Sequence, residues 1–360
     1  MRAHGITLIH GTGTLVDAHT VSLGDRQLSA DQIVIATGAH PPRLPIPGIE
    51  RALTHFEVMR REEPPAHLLI IGGGIVAFEF AYLFTRLGTV VTLIEVADHV
   101  LGVVDPEVRA AVLEHARQLG INVRISTQIH KIEPDAANLQ VSAEHAGEPF
   151  TLHCDCMVAL AAGQQPATEN LALEKVGVAV DHGIVTDETL RTSVPNIWAA
   201  GDVRRGARQL TMVAQHEGSV AGYNALHNSA PRRIDERIVP WMIGTTPPMG
   251  GVGMTEQEAV AAGHRIGVHK LQYSTVCTAA NVMGESDGMA KLIFDADSGL
   301  ILGAHLFGAD APELAQQVAF IMHGGLTIQQ ASSAIFVFPA YSHVLQRLLA
   351  PQPGDPKPSR

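Results

Sequence analysis

The residues that bear most directly on chemistry are a glycine run inside an apolar stretch, Leu68-Leu69-Ile70-Ile71-Gly72-Gly73-Gly74-Ile75-Val76-Ala77-Phe78-Glu79. The spacing is G-x-G-x-x-A, set between a strand-like run and a helix-like one, and it suits a dinucleotide diphosphate. Gly72 permits the tight turn, Gly74 lets the main chain approach the diphosphate without a Cβ in the way, and Ala77 lets helix and strand pack closely. Amides at the helix start would face the phosphates with the positive end of the helix dipole. A second apolar strand, Thr89–Ile94, leads into Glu95, roughly 20 residues beyond the turn, where a carboxylate accepts from the adenosine ribose hydroxyls. That carboxylate repels a 2′-phosphate, and the following Val96-Ala97-Asp98-His99 offers no arginine to neutralise one. NADH is therefore expected over NADPH. A glycine turn of this kind also occurs in sheets that bind nothing; strand, turn, helix and acid in one order argue against that reading.

The other reactive side chains are less organised. The 360 residues include 19 histidines and 3 cysteines, and no Cys/His grouping has metal-ligand spacing, so no metal site is expected. Cys154-Asp155-Cys156 is expected to put two thiols on one face of a strand, too close for a relaxed disulfide and suited to buried structural roles. Cys277 stands alone. A net charge of −11 gives no basic face for nucleic acid. With 46% apolar and 17% charged residues the chain should fold, and it is long enough for two or three domains. The start, Met1-Arg2-Ala3-His4-Gly5, lacks a charged-then-apolar leader, and no uninterrupted apolar run reaches bilayer length. Cysteine usage fits a reducing compartment, so a cytoplasmic location with no membrane partner is expected.

The elements that must position these residues follow from periodicity and turn signals. Short strands are expected at Thr7–Ile9, Thr14–Val16, Thr20–Ser22 and Gln32–Ala36, with a proline-rich linker at Pro41–Pro47. The strand His67–Ile71, a helix over Ile75–Leu87 and the strand Thr89–Ile94 form the nucleotide unit. Asp105-Pro106-Glu107 opens a further helix that stops at Gly120. Strands at Asn122–Ser126, His130–Ile132, Leu139–Ala143 and Phe150–Leu152 read as a meander, followed by a buried strand at Cys156–Ala161. Ile197–Ala200 is a buried strand ending at Gly201-Asp202, with a helix over Val213–Asn228. Beyond Pro240 come strands at Val268–Tyr273, Ala290–Asp295 and Ile301–Phe307, then helices at Ala311–His323 and Tyr341–Leu349, and a proline-rich tail.

With the glycine unit flanked by Val34-Ile35-Ala36-Thr37-Gly38 and by Asn196-Ile197-Trp198-Ala199-Ala200-Gly201-Asp202, the chain resembles the pyridine nucleotide-disulfide oxidoreductases. Thr246-Pro247-Pro248 and Val252-Gly253-Met254-Thr255-Glu256 are similar to the entry into that family's dimerisation domain. The resemblance covers residues 5–349. It implies an α/β chain with a Rossmann-type NAD domain at 63–162 inserted in an incomplete FAD domain made of 1–62 and 163–235. A C-terminal α+β dimerisation domain at 236–349 and a tail at 350–360 complete it, and the partner is a second copy. It also implies roles. Asp202 would hydrogen-bond the flavin's ribityl chain, with a helix-capping or turn aspartate as the alternative, and Gly201 would admit its diphosphate. Thr37 and Gly38 form the turn beside the FAD, and Val213 and Ala214 lie at a helix start facing the flavin ring. Gly163 belongs to a nicotinamide-side loop, and Glu79 lies near the nicotinamide.

Several family features differ here. The sequence starts after the family's own flavin glycine motif and Cys-x4-Cys redox pair, so the FAD is expected to lack its main phosphate cradle. The family's C-terminal His-Pro-Thr-x-x-Glu reads Phe338-Pro339-Ala340-Tyr341-Ser342-His343, and phenylalanine takes no proton. His343 is the displaced candidate base, with a packed or solvated helix histidine as the alternative. The loop Gly-Arg-x-Pro-Asn reads Gly163-Gln164-Gln165-Pro166-Ala167. Glu79 lacks its usual lysine partner and is expected either to resist ionisation or to face water. The expected activity is hydride transfer from NADH through FAD to a small-molecule acceptor, without a protein redox disulfide. The alternatives are a flavin-free NAD-binding dimeric module and an inactive truncated family member.

Overall fold

The computed structural model describes residues 5–353 except 43, 137, 161, 162 and 228. They fall into two compact units, Met1–Pro42 with Gly163–Glu236 and Arg43–Ala162 with Arg237–Arg360.

The nucleotide unit lies in the second. Its strands Cys156–Ala159, His67–Ile71, Val90–Ile94 and Asn122–Arg124 form one parallel sheet in that order. Leu68 through Ile71 are all buried, as a parallel sheet covered on both faces requires. On one face Leu68 and Ile70 pack with Ala77, Phe78 and Ala81 of the helix Ile75–Arg86. On the other, Leu69 and Ile71 meet Ile129, Ile132 and Val141 of an antiparallel meander, Thr127–Asp135, Asn138–His145 and Glu148–Cys154. Asn122–Arg124 was expected in that meander and instead forms the edge of the parallel sheet. Its short apolar pattern reports burial but not which neighbour supplies the hydrogen bonds.

A five-stranded antiparallel sheet, ordered Trp241–Ile243, Met249–Gly253, Ile301–Phe307, Met289–Asp295 and Ile266–Gln272, completes this unit. The helices Ala311–His323 and His343–Leu349 cover it, with Leu314, Val318, Leu345 and Leu348 buried against Leu292 and Leu306. The first two strands escaped the sequence reading because each is short and the second is glycine-rich. A buried clasp ties the helix Pro106–Gln118 to this sheet: Lys291, 1% exposed, reaches Asp105 at 2.9 Å, Glu107 at 2.9 Å and Glu256 at 2.6 Å.

In the first unit Thr14–Asp17, Thr20–Leu23 and Arg26–Ser29 form an antiparallel sheet. Ile33–Ile35 runs parallel to Ile197–Ala199, and the helix Thr211–Leu226 follows. Thr7–Ile9 carries no strand; Leu8 is 62% exposed and no ladder forms there among the described residues. The polar Arg26–Ser29 was unforeseen and is a strand only because the ladder to Thr20–Leu23 supplies its hydrogen bonds.

The thiols also depart from expectation. Asp155 bends the chain, its carboxylate accepting the N–H groups of Ala66 at 2.9 Å and His67 at 2.6 Å. The bend sends Cys154 into the meander-side core and Cys156 into the helix-side core, so they do not share a face. All three cysteines are free and buried, as the structural reading required. Burial pushes the Cys154 thiol up to about 12 and raises that of Cys156.

Candidate functional site

In the second unit the glycine turn leaves the carboxyl end of His67–Ile71, the edge of a parallel sheet where nucleotides bind. Gly72 has φ +112°, closed to most other residues. A Cβ on Gly73 would lie 2.5 Å from Val100 Cγ1 and 3.1 Å from Glu95 Cβ and Cγ, so this middle glycine is sterically required although the sequence reading passed over it. A Cβ on Gly74 would meet nothing within 4 Å and would project into open space. The helix Ile75–Arg86 has neither a side-chain cap nor an acid in its first turn, leaving its initial amides available. Ala77 is fully buried against the strand.

Glu95 is held more firmly than expected. Its Oε2 accepts the Gly73 N–H at 2.7 Å and its Oε1 accepts the Ala97 N–H at 2.8 Å. Each carboxylate oxygen retains acceptor capacity, so these bonds orient the group beside the turn and still allow it to receive ribose hydroxyls. Open space at Gly74, uncapped amides and an oriented carboxylate fit a dinucleotide.

Glu79, on the same helix, is half-buried, and its Oε1 accepts the Gly244 N–H at 2.8 Å. That long-range contact left no trace in local sequence. His343 opens the helix His343–Leu349; its Nδ1 is buried without a hydrogen-bond partner among the described residues, and the Phe338 ring stands edge-on at 5.5 Å. No contact joins Glu79 to His343 among the described residues.

The first unit gathers a second set. Thr37-Gly38 and Gly201-Asp202 follow neighbouring parallel strands, joined where the Ala200 N–H donates to Ile35 O at 3.0 Å. Thr37 Oγ1 donates to Ala167 O at 2.7 Å, and Gly38 O accepts the Ala167 N–H at 2.8 Å. Gly201 has φ +76°, and a Cβ there would come within 3.2 Å of Ala214 Cβ. Val213 and Ala214 are half-buried in the first turn of Thr211–Leu226, a helix without a side-chain cap. Asp202 is half-buried and has no hydrogen-bonding partner among the described residues; burial, then the nearby charge of Glu217, raises its carboxyl above the usual range. An unpartnered carboxylate on a glycine turn beside free helix amides fits a polyhydroxylated, phosphorylated cofactor such as FAD. Gly163, with φ +67°, is the residue at which the chain re-enters this unit.

The sequence reading missed Glu217. Glu217, Val220, Ala221 and Asn224 are the buried stripe of Thr211–Leu226. A carboxylate at helical period within a buried face was the signal that could have found it.

The family profile described as pyridine nucleotide-disulphide oxidoreductase matches residues 1–218, and the profile of that family's dimerisation domain matches residues 239–349. A mercuric reductase from Staphylococcus aureus is 32% identical over 335 residues, which cover 92% of this chain and 60% of the relative's length. A dihydrolipoyl dehydrogenase from Chlorobaculum tepidum is 32% identical over 347 residues, 94% of this chain and 72% of the relative. The HOCl-induced flavoprotein disulfide reductase RclA from Escherichia coli superposes with a TM-score of 0.87 at 31% identity, covering 95% of this chain and 78% of that structure. This chain belongs to the pyridine nucleotide-disulphide oxidoreductase family.

Proposed function

We propose that this chain passes reducing equivalents from NADH through FAD to a small-molecule acceptor, without a thiol of its own 360 residues taking part. The observation that carries the reading is the pair of cradles: the Gly72-Gly73-Gly74 turn with Glu95 braced beside it, and the Gly201-Asp202 turn facing an uncapped helix. When both cofactors are bound, the nicotinamide supplies a hydride and the flavin accepts it, chemistry that belongs to the cofactors. The protein's part is to grip and orient. Gly74 and the first amides of Ile75–Arg86 receive the NAD diphosphate, and Glu95 takes the adenosine ribose. Thr37, Gly38, Gly201, Asp202, Val213 and Ala214 serve the flavin.

Thiol chemistry is disfavoured for these residues because the three cysteines are buried and Phe338 cannot act as a base. Segments 1–62 with 163–235, 63–162 and 236–349 serve FAD, NAD and the contact with a second copy respectively. The homodimer reading is supported by the dimerisation profile and by the exposed apolar side chains Val282, Met283, Phe320, Ile335, Val337 and Phe338. Among the described residues no helix is long and apolar enough to cross a membrane.

Incubation with FAD, gel filtration and anaerobic NADH titration test the reading. A retained flavin band bleached by NADH is expected. A colourless chain that still binds NADH would favour the flavin-free module, and failure to bind either nucleotide would sink the reading. The cofactor preference is checked by Glu95→Arg, which should shift the ratio of NADH to NADPH dissociation constants toward NADPH. Loss of the Gly73 and Ala97 brace affects both cofactors and cancels in that ratio.

A further inference from the structure

The turn that carries Asp202 is tied from beneath by charged groups with no place in the reading above. Glu217 is fully buried, and its Oε2 accepts the Gly201 N–H at 2.6 Å. The same carboxylate takes the Arg204 guanidinium on both oxygens, Nε to Oε2 at 2.8 Å and Nη2 to Oε1 at 2.5 Å. Arg204, itself buried, also reaches Glu236 Oε1 at 2.8 Å and Thr186 Oγ1 at 3.2 Å. Burial alone would favour protonation of Glu217, but Arg204 and the Gly201 N–H hold its carboxyl below the usual range.

A buried ion pair is a poor way to add stability, since apolar residues of similar volume often serve as well or better. What it provides that leucine and methionine do not is a fixed acceptor for one particular N–H. That N–H belongs to the residue before Asp202, at a backbone conformation few side chains adopt and where an added Cβ would crowd Ala214 at the helix start, 3.2 Å away.

We propose that Glu217, locked by Arg204, is a positioning residue: it fixes the Gly201 N–H and so holds Asp202 toward the polyhydroxyl chain of a bound flavin dinucleotide. The proposal rests on the flavin reading above and adds the device that sets the turn.

The test uses the full chain as wild type, Glu217→Gln, and Arg204→Met combined with Glu217→Leu. Three measurements are made: thermal unfolding, amide hydrogen exchange over residues 200–203, and FAD titration followed by flavin fluorescence. The double variant should fold but melt a few degrees below wild type: the buried pair leaves together, while the Gly201 N–H loses its acceptor and the partly exposed Glu236 its cation. Its amides at 200–203 should exchange at least about ten-fold faster and its FAD dissociation constant should rise about ten-fold, the cost of a buried N–H losing its acceptor. Glu217→Gln keeps an acceptor and should fall between. A folded double variant whose exchange and FAD affinity both stay within about two-fold of wild type overturns the proposal. Should the double variant fail to fold, Glu217→Gln decides: exchange and affinity unchanged from wild type overturn it. A wild-type chain that takes up no FAD sinks the flavin reading and the ligand named here, a result distinguishable because hydrogen exchange still reports whether Glu217 sets the turn.

Discussion

Gly74→Ala separates the nucleotide reading from an ordinary glycine turn. Gly74 has φ −81° and ψ −171°, an extended conformation open to alanine, and the added Cβ would meet no protein atom within 4 Å. Two small effects on the fold oppose each other. Alanine narrows the unfolded ensemble, stabilising by about 0.4–1 kcal/mol, and is a poorer N-cap than glycine, costing on the order of 0.5–1 kcal/mol. The net change should stay within about 0.5 kcal/mol, so the melting temperature moves by no more than a few degrees. Binding should respond far more. If the open space at Gly74 receives a diphosphate, one extra carbon costs about 1–3 kcal/mol, roughly 10–200-fold in the NADH dissociation constant. The assay is thermal unfolding with and without NADH, alongside calorimetric titration. At about 100 times its dissociation constant NADH stabilises the wild type by about 2.7 kcal/mol; a variant bound about 100-fold more weakly gains only about 0.4 kcal/mol at the same concentration. Unchanged melting with lost ligand protection is the expected pair of results. Wild-type NADH affinity in Gly74→Ala would refute the placement of the diphosphate.

Gly73→Ala should do the opposite and damage the fold itself: its Cβ would collide with Val100, which is 2% exposed, and overpacking of this kind costs about 1–3 kcal/mol. Adding Val100→Ala should recover part of that loss, a non-additivity read from urea unfolding. Lys291→Met strands Asp105, Glu107 and Glu256 without their shared cation and should destabilise by about 3–5 kcal/mol in the same assay. Lys270 and Lys291 hold the Glu107 carboxyl at about 2, below its ordinary 4.5. As pH falls from about 4.5 toward about 2 the unfolded chain takes up protons first, so the stability Glu107 contributes is lost across that window, and Glu107→Gln should flatten the acid limb of a stability–pH profile. Cys154 and Cys156, buried with raised thiols, should resist iodoacetamide in the folded chain at mildly alkaline pH and react in urea; rapid labelling of either folded thiol in a mass spectrum would contradict the structural role assigned to both.

How much of this was legible before the structure depends on the range of the interaction involved. The strand His67–Ile71, the glycine turn and the helix Ile75–Arg86 are set by local periodicity and by the positive φ of Gly72, so this strand–turn–helix unit could be read from twenty consecutive letters. Gly73 was invisible because its necessity comes from Val100 and Glu95, which reach it across the fold. The same holds for Glu79 on the Gly244 N–H, for Arg204 on Glu217 and for Lys291 among three carboxylates: each partner is remote in sequence, and periodicity carries no information about pairing. The bend at Asp155 shows the converse error. A Cys-Asp-Cys triplet read as continuous strand places both thiols together, whereas one carboxylate accepting two distant N–H groups breaks the strand and divides them between two cores. Features set within one turn or one helix were thus readable, whereas strand pairing and remote charge pairs were not. Remote charge pairs therefore lie in places no single element announces: Glu217 shows itself only as a carboxylate on a buried helix face, while its Arg204 partner and the clasp at Lys291 emerge only once the chain is folded.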